Sequence, residues 1–264
     1  MSMFLPKIFL GWMLTTLSLT GLAHAEIYQV GGSQWRPFSY EDEQGELRGI
    51  STDIARRVLQ LANIEAQFVS YPVNRLQAML GKDELDMNFA DSAQWNSKDE
   101  LDHFVFSEPY LRVKEHLYVL KGSPAAKIPV DKLQGLTIGT IRGYTYLNMD
   151  PSFADKRLVE LETSEDSALL QLLLARRVDA IAMVDDLFDY LVAEQHMDPD
   201  LFQRGALLSD AHVSIKLQPE LAPHLPAINK AIRSMIRSGE VARIRTSYLL
   251  SHKPDGCQKA DVTC

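Results

Sequence analysis

The sequence predicts an α/β fold of two lobes, each a mostly parallel sheet flanked by helices, with a cleft between the lobes. Segments of strand and helix character alternate along the chain, which is typical of parallel sheets. The chain also contains a weak internal repeat. Residues 80–86 and 174–179 each lead from the end of a leucine-rich helix through a basic turn to an Asp at the start of a strand. Finally, an aromatic loop follows the first strand, where open α/β sheets have their crevice.

Residues 1–25 have the pattern of a cleavable secretory signal. Lys7 precedes an apolar run over residues 8–22, and Ala23-His24-Ala25 is a small-residue cleavage site. We expect export to the periplasm with cleavage after Ala25, which leaves 239 residues (264 less 25) and changes the formal charge from −8 to −9. An acidic exported chain is a poor candidate for binding nucleic acid or anionic membranes. By default we expect a monomer, and no motif indicates a cofactor or a metal.

The aromatic loop lies between a strand at residues 27–30 and a helix. Trp35 and Phe38 flank Pro37, which limits the turns that the backbone can make. Three candidate N-caps at residues 51–53 precede an apolar helical period that starts at Ile54. Two readings of the aromatic pair stay open: it forms the floor of a pocket, or it only closes the top of the core.

The first lobe continues with strands at residues 65–71 and 85–90. Residues 65–71 alternate as a strand does, and Pro72 then opens a helix that stops at Gly81. Residues 95–102 are polar and predict a loop, and a short strand is expected at residues 103–106.

The second half of the chain repeats this plan with strands and helices in alternation. The strand at residues 136–141 ends in Arg142-Gly143-Tyr144-Thr145, which offers backbone N–H groups for an anion or forms an ordinary turn with Thr145 as an N-cap. The remaining predicted strands are 113–120, 158–161, 178–184 and 213–217, and the remaining predicted helices begin after Ser164 and cover 187–195, 225–237 and 239–249.

Both cysteines, Cys257 and Cys264, lie in the polar C-terminal tail. An exported protein meets an oxidising compartment, so a small terminal disulfide is plausible. The alternative is a pair of free or intermolecular thiols on the tail.

Taken together, the motifs make the mature chain resemble the bacterial extracellular solute-binding proteins of family 3, the amino-acid-binding group of ABC transport systems. The resemblance implies the type II periplasmic-binding-protein-like fold, with lobe 1 at residues 26–110 and 211–250, lobe 2 at 111–210, a ligand cleft at the hinge and a polar tail at 251–264. The matching segments are Pro37-Phe38-Ser39-Tyr40, Gly49-Ile50-Ser51-Thr52-Asp53-Ile54, Leu85-Asp86, Phe106-Ser107-Glu108-Pro109-Tyr110, Arg142-Gly143-Tyr144-Thr145, Arg177-Val178-Asp179-Ala180 and Ser238-Gly239-Glu240.

The ligand clamp of the family departs from its usual residues in this sequence. The family holds the ligand carboxylate with a Thr-x-x-Arg element, but the Arg position falls on Lys98 or Glu100, according to the direction of counting, and the Thr position falls on Trp95. A lysine offers a point charge but does not replace the bidentate guanidinium fork, and Lys98 is equally well read as a solvated loop residue. The family's acid for the ligand ammonium falls on Val184, with Asp185 one step later.

The remaining candidates follow strand ends that face the predicted cleft. An aromatic platform, an acid and a base there would suit a polar or partly cationic small molecule. The predicted ligand-binding residues are Trp35, Tyr71, Asp91, Ser92, Lys98, Arg142, Thr145 and Asp185.

The resemblance leaves three functions in competition. The first is a solute-binding protein that delivers its ligand to an inner-membrane ABC permease. The second is a sensor or accessory protein for a membrane receptor. The third is an enzyme like the periplasmic cyclohexadienyl dehydratases, which would need both a placed acid or base and a hold on a carboxylate. Because the carboxylate-binding Arg is absent, we expect no enzyme.

Overall fold

A computed structural model describes residues 26–250 of the chain. The predicted signal, with its cleavage site after Ala25, and the tail with Cys257 and Cys264 lie outside these residues.

The strands and helices alternate as the sequence predicts. The strands are β1 (Tyr28–Gly32), β2 (Tyr40–Glu41), β3 (Leu47–Arg48), β4 (Ala66–Ser70), β5 (Met87–Asp91), β6 (Val105–Phe106), β7 (Leu111–Leu120), β8 (Thr137–Ile141), β9 (Val159–Thr163), β10 (Ala180–Val184) and β11 (Phe202–Leu217). The α-helices are α1 (Ile50–Leu61), α2 (Val73–Leu80), α3 (Lys98–His103), α4 (Asp150–Ala154), α5 (Asp166–Leu174), α6 (Asp185–Glu194), α7 (Leu225–Arg237) and α8 (Glu240–Leu250).

The main sheet has two halves that share one long strand. Its order is β4-β1-β5-β11-β7-β10-β8-β9, and β6 also pairs with β11. The first half contains the parallel strands β4, β1 and β5, and the second contains the parallel strands β10, β8 and β9. Strand β11 pairs with β7 from Phe202 to Val213 and with β5 from Ser214 to Leu217. The predicted two-lobed α/β fold is confirmed.

The largest of three hydrophobic clusters among the described residues extends through both halves. It contains Phe38, Ile54 and Phe89 from the first half and Leu169 and Met183 from the second. Helix α1 joins the cluster through an apolar face at helical spacing, because Ile54 and its neighbours one turn away are buried. Within residues 26–250, no helix is long and apolar enough to cross a membrane.

Helix α1 begins four residues earlier than its side chains indicate. The predicted N-caps at residues 51–53 lie inside the helix, and Gly49 is the N-cap without any side-chain hydrogen bond. The N–H groups of Ile50 and Ser51 donate instead to the carbonyls of Pro37 and Phe38, at 3.0 and 2.9 Å. The prediction was wrong because backbone carbonyls of the aromatic loop replace the capping hydroxyls.

Other predicted boundaries were also wrong. Residues 95–102 include helix α3, which a capping box between Ser97 and Glu100 starts. Strand β11 begins eleven residues before the predicted 213, because β7 provides a template for its first part. After β8 the next helix begins at Asp150, so Thr145 is not an N-cap.

Candidate functional site

A cavity of about 150 Å³ lies between the two halves of the sheet, at the carboxyl ends of their parallel strands. Ser33 follows β1 and Asp91 ends β5, while Gly143 follows β8 and Val184 ends β10. This is the position at which open α/β sheets bind ligands. The cavity therefore receives side chains from both halves.

The two halves approach closely at Gly143. A Cβ at this position would lie 2.3 Å from Oδ1 of Asn74 on α2, and the backbone has φ of 86°. Glycine adopts this left-handed conformation without a steric penalty. The residue thus allows the turn after β8 to rest against the first half at the edge of the cavity.

Aromatic rings form two sides of the cavity. Trp35 stacks on Phe38 with ring centroids 4.2 Å apart. It also packs in a T-shaped arrangement with Trp95, with ring centroids 5.9 Å apart. The N–H groups at the start of α1 hold the carbonyl of Phe38, so the helix fixes the loop that carries Trp35. Tyr144 lines the cavity from the second half.

A buried network around Asp91 forms the floor. Its carboxylate accepts hydrogen bonds from the Ser92 N–H at 2.7 Å, from Asn96 Nδ2 at 2.7 Å and from Asn88 Nδ2 at 3.1 Å. Burial raises the pKa of Asp91, and the nearby Lys216 ammonium opposes that rise. Lys216 Nζ is 3.6 Å from Asp91 and its side chain has no exposed surface. Asp91 therefore has four partners within the protein.

Lys216 connects the floor to helix α3. Its Nζ donates to Asn96 Oδ1 at 2.5 Å and to Glu100 Oε1 at 3.4 Å, and it lies 4.3 Å from the centre of the Phe104 ring. The Ser97 N–H and hydroxyl donate to the other oxygen of Glu100. These donors and Lys216 outweigh burial and lower the pKa of Glu100.

Glu115 brings a third carboxylate to the cavity from the opposite half. It lies on β7, directly beside Val184 in the register with β10. The Ser209 hydroxyl donates to Glu115 Oε2 at 3.3 Å, and burial raises the pKa of Glu115 to about 7. The carboxylate of Glu115 thus has fewer hydrogen-bond and charge partners than that of Asp91.

A second cavity adjoins the first. It has a volume of about 480 Å³ and is lined by segments that follow β8 and by residues 207–210 of β11. Trp95, Glu115 and Thr145 line both cavities. Glu115 consequently faces a space that is longer than the first cavity alone.

Of the predicted ligand-binding residues, Trp35, Asp91 and Thr145 line the first cavity. Ser92 is buried next to them, and its hydroxyl accepts a hydrogen bond from the Gln94 N–H in the short 3₁₀ helix Ala93–Trp95. Tyr71 instead packs under the Arg75 guanidinium, at 4.5 Å.

The two predicted cationic residues lie away from the cavity. Lys98 is exposed at the start of α3. The side chain of Arg142 is 60% exposed and is 3.7 Å from Glu162. Among residues 26–250, no Lys, Arg or His lines the first cavity.

Asp185 belongs to a separate polar cluster. Its carboxylate is 2.7 Å from His116 Nδ1 and accepts a hydrogen bond from the Tyr118 hydroxyl at 2.7 Å. His116 follows Glu115 on β7, and successive side chains of a strand point to opposite faces. Val184 lines the first cavity, and Asp185 does not.

The sequence reasoning missed Lys216 and Glu115, and it did not assign Trp95, Tyr144 or Asn96 to the site. A signal was present for the first two, because each is a charged residue within an apolar strand segment. Charged residues are almost never fully buried unless they are paired. In the part of the chain that the structure covers, no group of three or more His, Cys, Asp or Glu side chains could hold a metal ion.

Two α/β lobes joined by a shared strand, with a cavity lined from both, define a two-lobed binding protein. The family model of the bacterial extracellular solute-binding proteins, family 3, matches residues 28–251, and the chain belongs to this family.

Named relatives agree with this membership. The L-cystine-binding protein TcyJ of Escherichia coli K12 is 26% identical over 230 residues, which cover 86% of this chain and 80% of TcyJ. The "Probable amino-acid ABC transporter periplasmic-binding protein y4tE" of Sinorhizobium fredii is 31% identical over 91 residues, 33% of this chain and 30% of that protein. An ancestral arginine-binding protein bound to arginine has a similar fold, with a TM-score of 0.72 and 21% identity over 85% of this chain and 99% of the other.

Proposed function

We propose that this protein is a periplasmic solute-binding protein that captures a small polar solute between its two lobes for ABC-type uptake. The observation that carries the proposal is the cavity at the carboxyl ends of the parallel strands, to which both halves of the sheet contribute. The name of y4tE supports a transport role, and TcyJ and the ancestral protein are named for amino-acid ligands.

The proposal includes lobe 1 at residues 26–110 and 211–250 and lobe 2 at 111–210. The exchange of partners along β11, from β7 to β5 after Val213, supports a crossing near this boundary. The proposed ligand contacts among the predicted residues are Trp35, Asp91 and Thr145.

The experiment that tests solute binding is native mass spectrometry of the protein purified from the periplasm. We expect a noncovalent small molecule at one per chain that is lost on denaturation and is rebound by the refolded protein. A protein that binds no compound, either as purified or from a panel of amino acids, amines, organic acids and sugars, would contradict the proposal. The released compound is also identified after prolonged incubation, because chemical conversion would favour the enzyme alternative.

Transport and sensing are separated by a functional assay with the membrane partner. We expect the ligand-loaded protein to stimulate ATP hydrolysis by a reconstituted ABC permease encoded beside it. If the ligand-loaded protein instead activates only a neighbouring receptor, the sensor alternative is correct.

A further inference from the structure

We infer that the cavity selects an organic cation that carries no carboxylate, with its charged nitrogen at Glu115 and its body between the aromatic rings. The inference rests on the proposed function, because it names the ligand class of the same cavity.

Charge balance is the first argument. Three carboxylates line the cavity, those of Asp91, Glu100 and Glu115. One ammonium, that of Lys216, is within 3.6 Å of the first two. Glu115 belongs to the opposite half of the sheet and has the Ser209 hydroxyl as its hydrogen-bond donor. A cationic solute would supply the charge that Glu115 lacks, because buried charges are stable only when they are paired.

The second argument is that, among residues 26–250, no cationic side chain lines the cavity to pair with a carboxylate. The two cationic side chains that the family pattern places nearest, Lys98 and Arg142, are exposed to solvent. Lys216 is fully buried and already donates to Asn96 and Glu100. A solute carboxylate in this cavity would be desolvated next to three acids without a fork to bind it, which is strongly unfavourable.

The third argument concerns shape and wall chemistry. Trp35, Trp95 and Tyr144 present aromatic surface to the cavity, and aromatic faces attract cations, with the strongest effect for tryptophan. A cavity of about 150 Å³ holds a molecule of roughly benzene size. The adjoining cavity, which shares Trp95 and Glu115, gives room for a longer chain.

The test compares three compounds that share one cationic head: agmatine, arginine and argininamide. Agmatine lacks the carboxylate, and argininamide keeps the bulk of arginine with the carboxylate blocked. Cadaverine, lysine and lysinamide form a second series. Affinities are measured by isothermal titration calorimetry on the purified protein. We expect agmatine or cadaverine to bind and the matching amino acid to bind roughly 30-fold or more weakly, while the amide keeps most of the affinity of the amine.

The variant Glu115→Gln tests whether the charged nitrogen of the ligand binds at Glu115. Glutamine keeps the shape of the side chain and removes its charge, so we expect the affinity for the amine to fall about 10-fold or more. Glu43→Gln is the matched control, because Glu43 is exposed between β2 and β3 and the chemical change is the same. Thermal unfolding without ligand shows that each variant is folded.

Several results would overturn the inference. One is an amino acid that binds as tightly as its amine. Another is an amide rejected as strongly as the acid, because size rather than charge would then exclude both. Unchanged affinity of Glu115→Gln for the amine would show that the charged nitrogen of the ligand does not bind at Glu115. A neutral or anionic solute that binds when no cation does would overturn the ligand class while solute binding stands. If no compound of any class binds, the proposed function itself fails.

Discussion

At the scale of single residues, the floor of the cavity depends on the ammonium group of Lys216. It is fully buried, and its partners Asp91, Asn96 and Glu100 come from β5, from the loop after it and from α3. Pairing inside a protein offsets a large desolvation cost, so such a group adds little net stability while it is paired. Removal of one partner is costly, however, because the other charge is left buried.

We therefore expect Lys216→Met to destabilise the protein by about 3 kcal/mol or more. For a chain of this size, that corresponds to a midpoint lower by roughly 6–12 °C. Thermal unfolding measures the loss, and Lys230→Met, at an exposed lysine of α7, is the control. The double variant Asp91→Asn/Lys216→Met should lose less stability than the sum of the losses in the two single variants. Strictly additive losses of stability would contradict the pairing of Asp91 with Lys216.

We expect Glu115 to make the stability of the folded protein depend on pH. Burial raises its pKa to about 7 in the folded protein, so the folded state holds the proton more tightly than the unfolded state. The protein accordingly loses stability as the pH rises from the ordinary range of a glutamate through about 7. In Glu115→Gln this loss disappears. Well above neutral pH the ligand-free variant should therefore be the more stable form, by about 3 kcal/mol, since each tenfold change in proton affinity corresponds to about 1.4 kcal/mol.

Denaturant unfolding at several pH values measures this difference. It should vanish in acid, where Glu115 is neutral in both states. Asp166 also has its pKa raised to about 7 by burial, so the comparison with the variant, and not the pH profile of the protein alone, isolates Glu115. A difference that does not depend on pH would rule out the effect of burial.

At the scale of single elements, the start of α1 determines where the aromatic loop lies. Gly49 has φ of 129°, and a Cβ there would be 2.3 Å from the backbone oxygen of Phe38. That oxygen accepts a hydrogen bond from the Ser51 N–H, so it cannot move without loss of the helix start. Trp35 stacks on the ring of the same Phe38, and the cavity wall therefore depends on this contact.

We expect Gly49→Ala to cost roughly 3 kcal/mol or more, from backbone strain and overpacking together. Gly45→Ala is a matched control, because Gly45 also has a positive φ, 79°, but nothing lies within 4 Å of an added Cβ. The control should lose about 1–2 kcal/mol, the cost of the left-handed conformation alone. Equal losses in the two variants, measured by thermal unfolding, would contradict a role for the Phe38 contact.

The elements also show what the sequence could predict. Trp35, Asp91 and Thr145 reach the cavity because each lies at or shortly after the end of a strand, which is a local property. Glu115 reaches it through the pairing of β7 with β10, and Lys216 reaches the buried network of its floor through the pairing of β11 with β5. These pairings join distant segments, and a register that differs by one residue would turn each side chain to the other face. Local pattern alone could not determine them.

At the scale of the whole molecule, the two lobes are coupled by shared structure. Strand β11 is part of both halves of the sheet, and one hydrophobic cluster contains residues of both. Unfolding of one half would expose the residues of the other half that pack in this shared cluster. Arg36 of the first half also donates a hydrogen bond to the Tyr190 hydroxyl of α6, at 3.4 Å, and a single hydrogen bond contributes about 1 kcal/mol.

We expect calorimetric unfolding to give a single transition, with a ratio of van't Hoff to calorimetric enthalpy close to one. A ligand at about 100 times its dissociation constant should move that transition as a whole, with a stabilisation of about 2.7 kcal/mol. Two resolved transitions, of which only one responds to ligand, would show that the lobes unfold independently.

The tryptophans that line the cavity give the protein its own optical reporter. The sequence contains three tryptophans, Trp12, Trp35 and Trp95, and removal of the predicted signal takes away the first. Both remaining indoles face the cavity and contact each other, so all indole emission of the exported protein would originate at the proposed binding site. Capture and release of a solute could then be followed in real time by stopped-flow fluorescence without any attached dye.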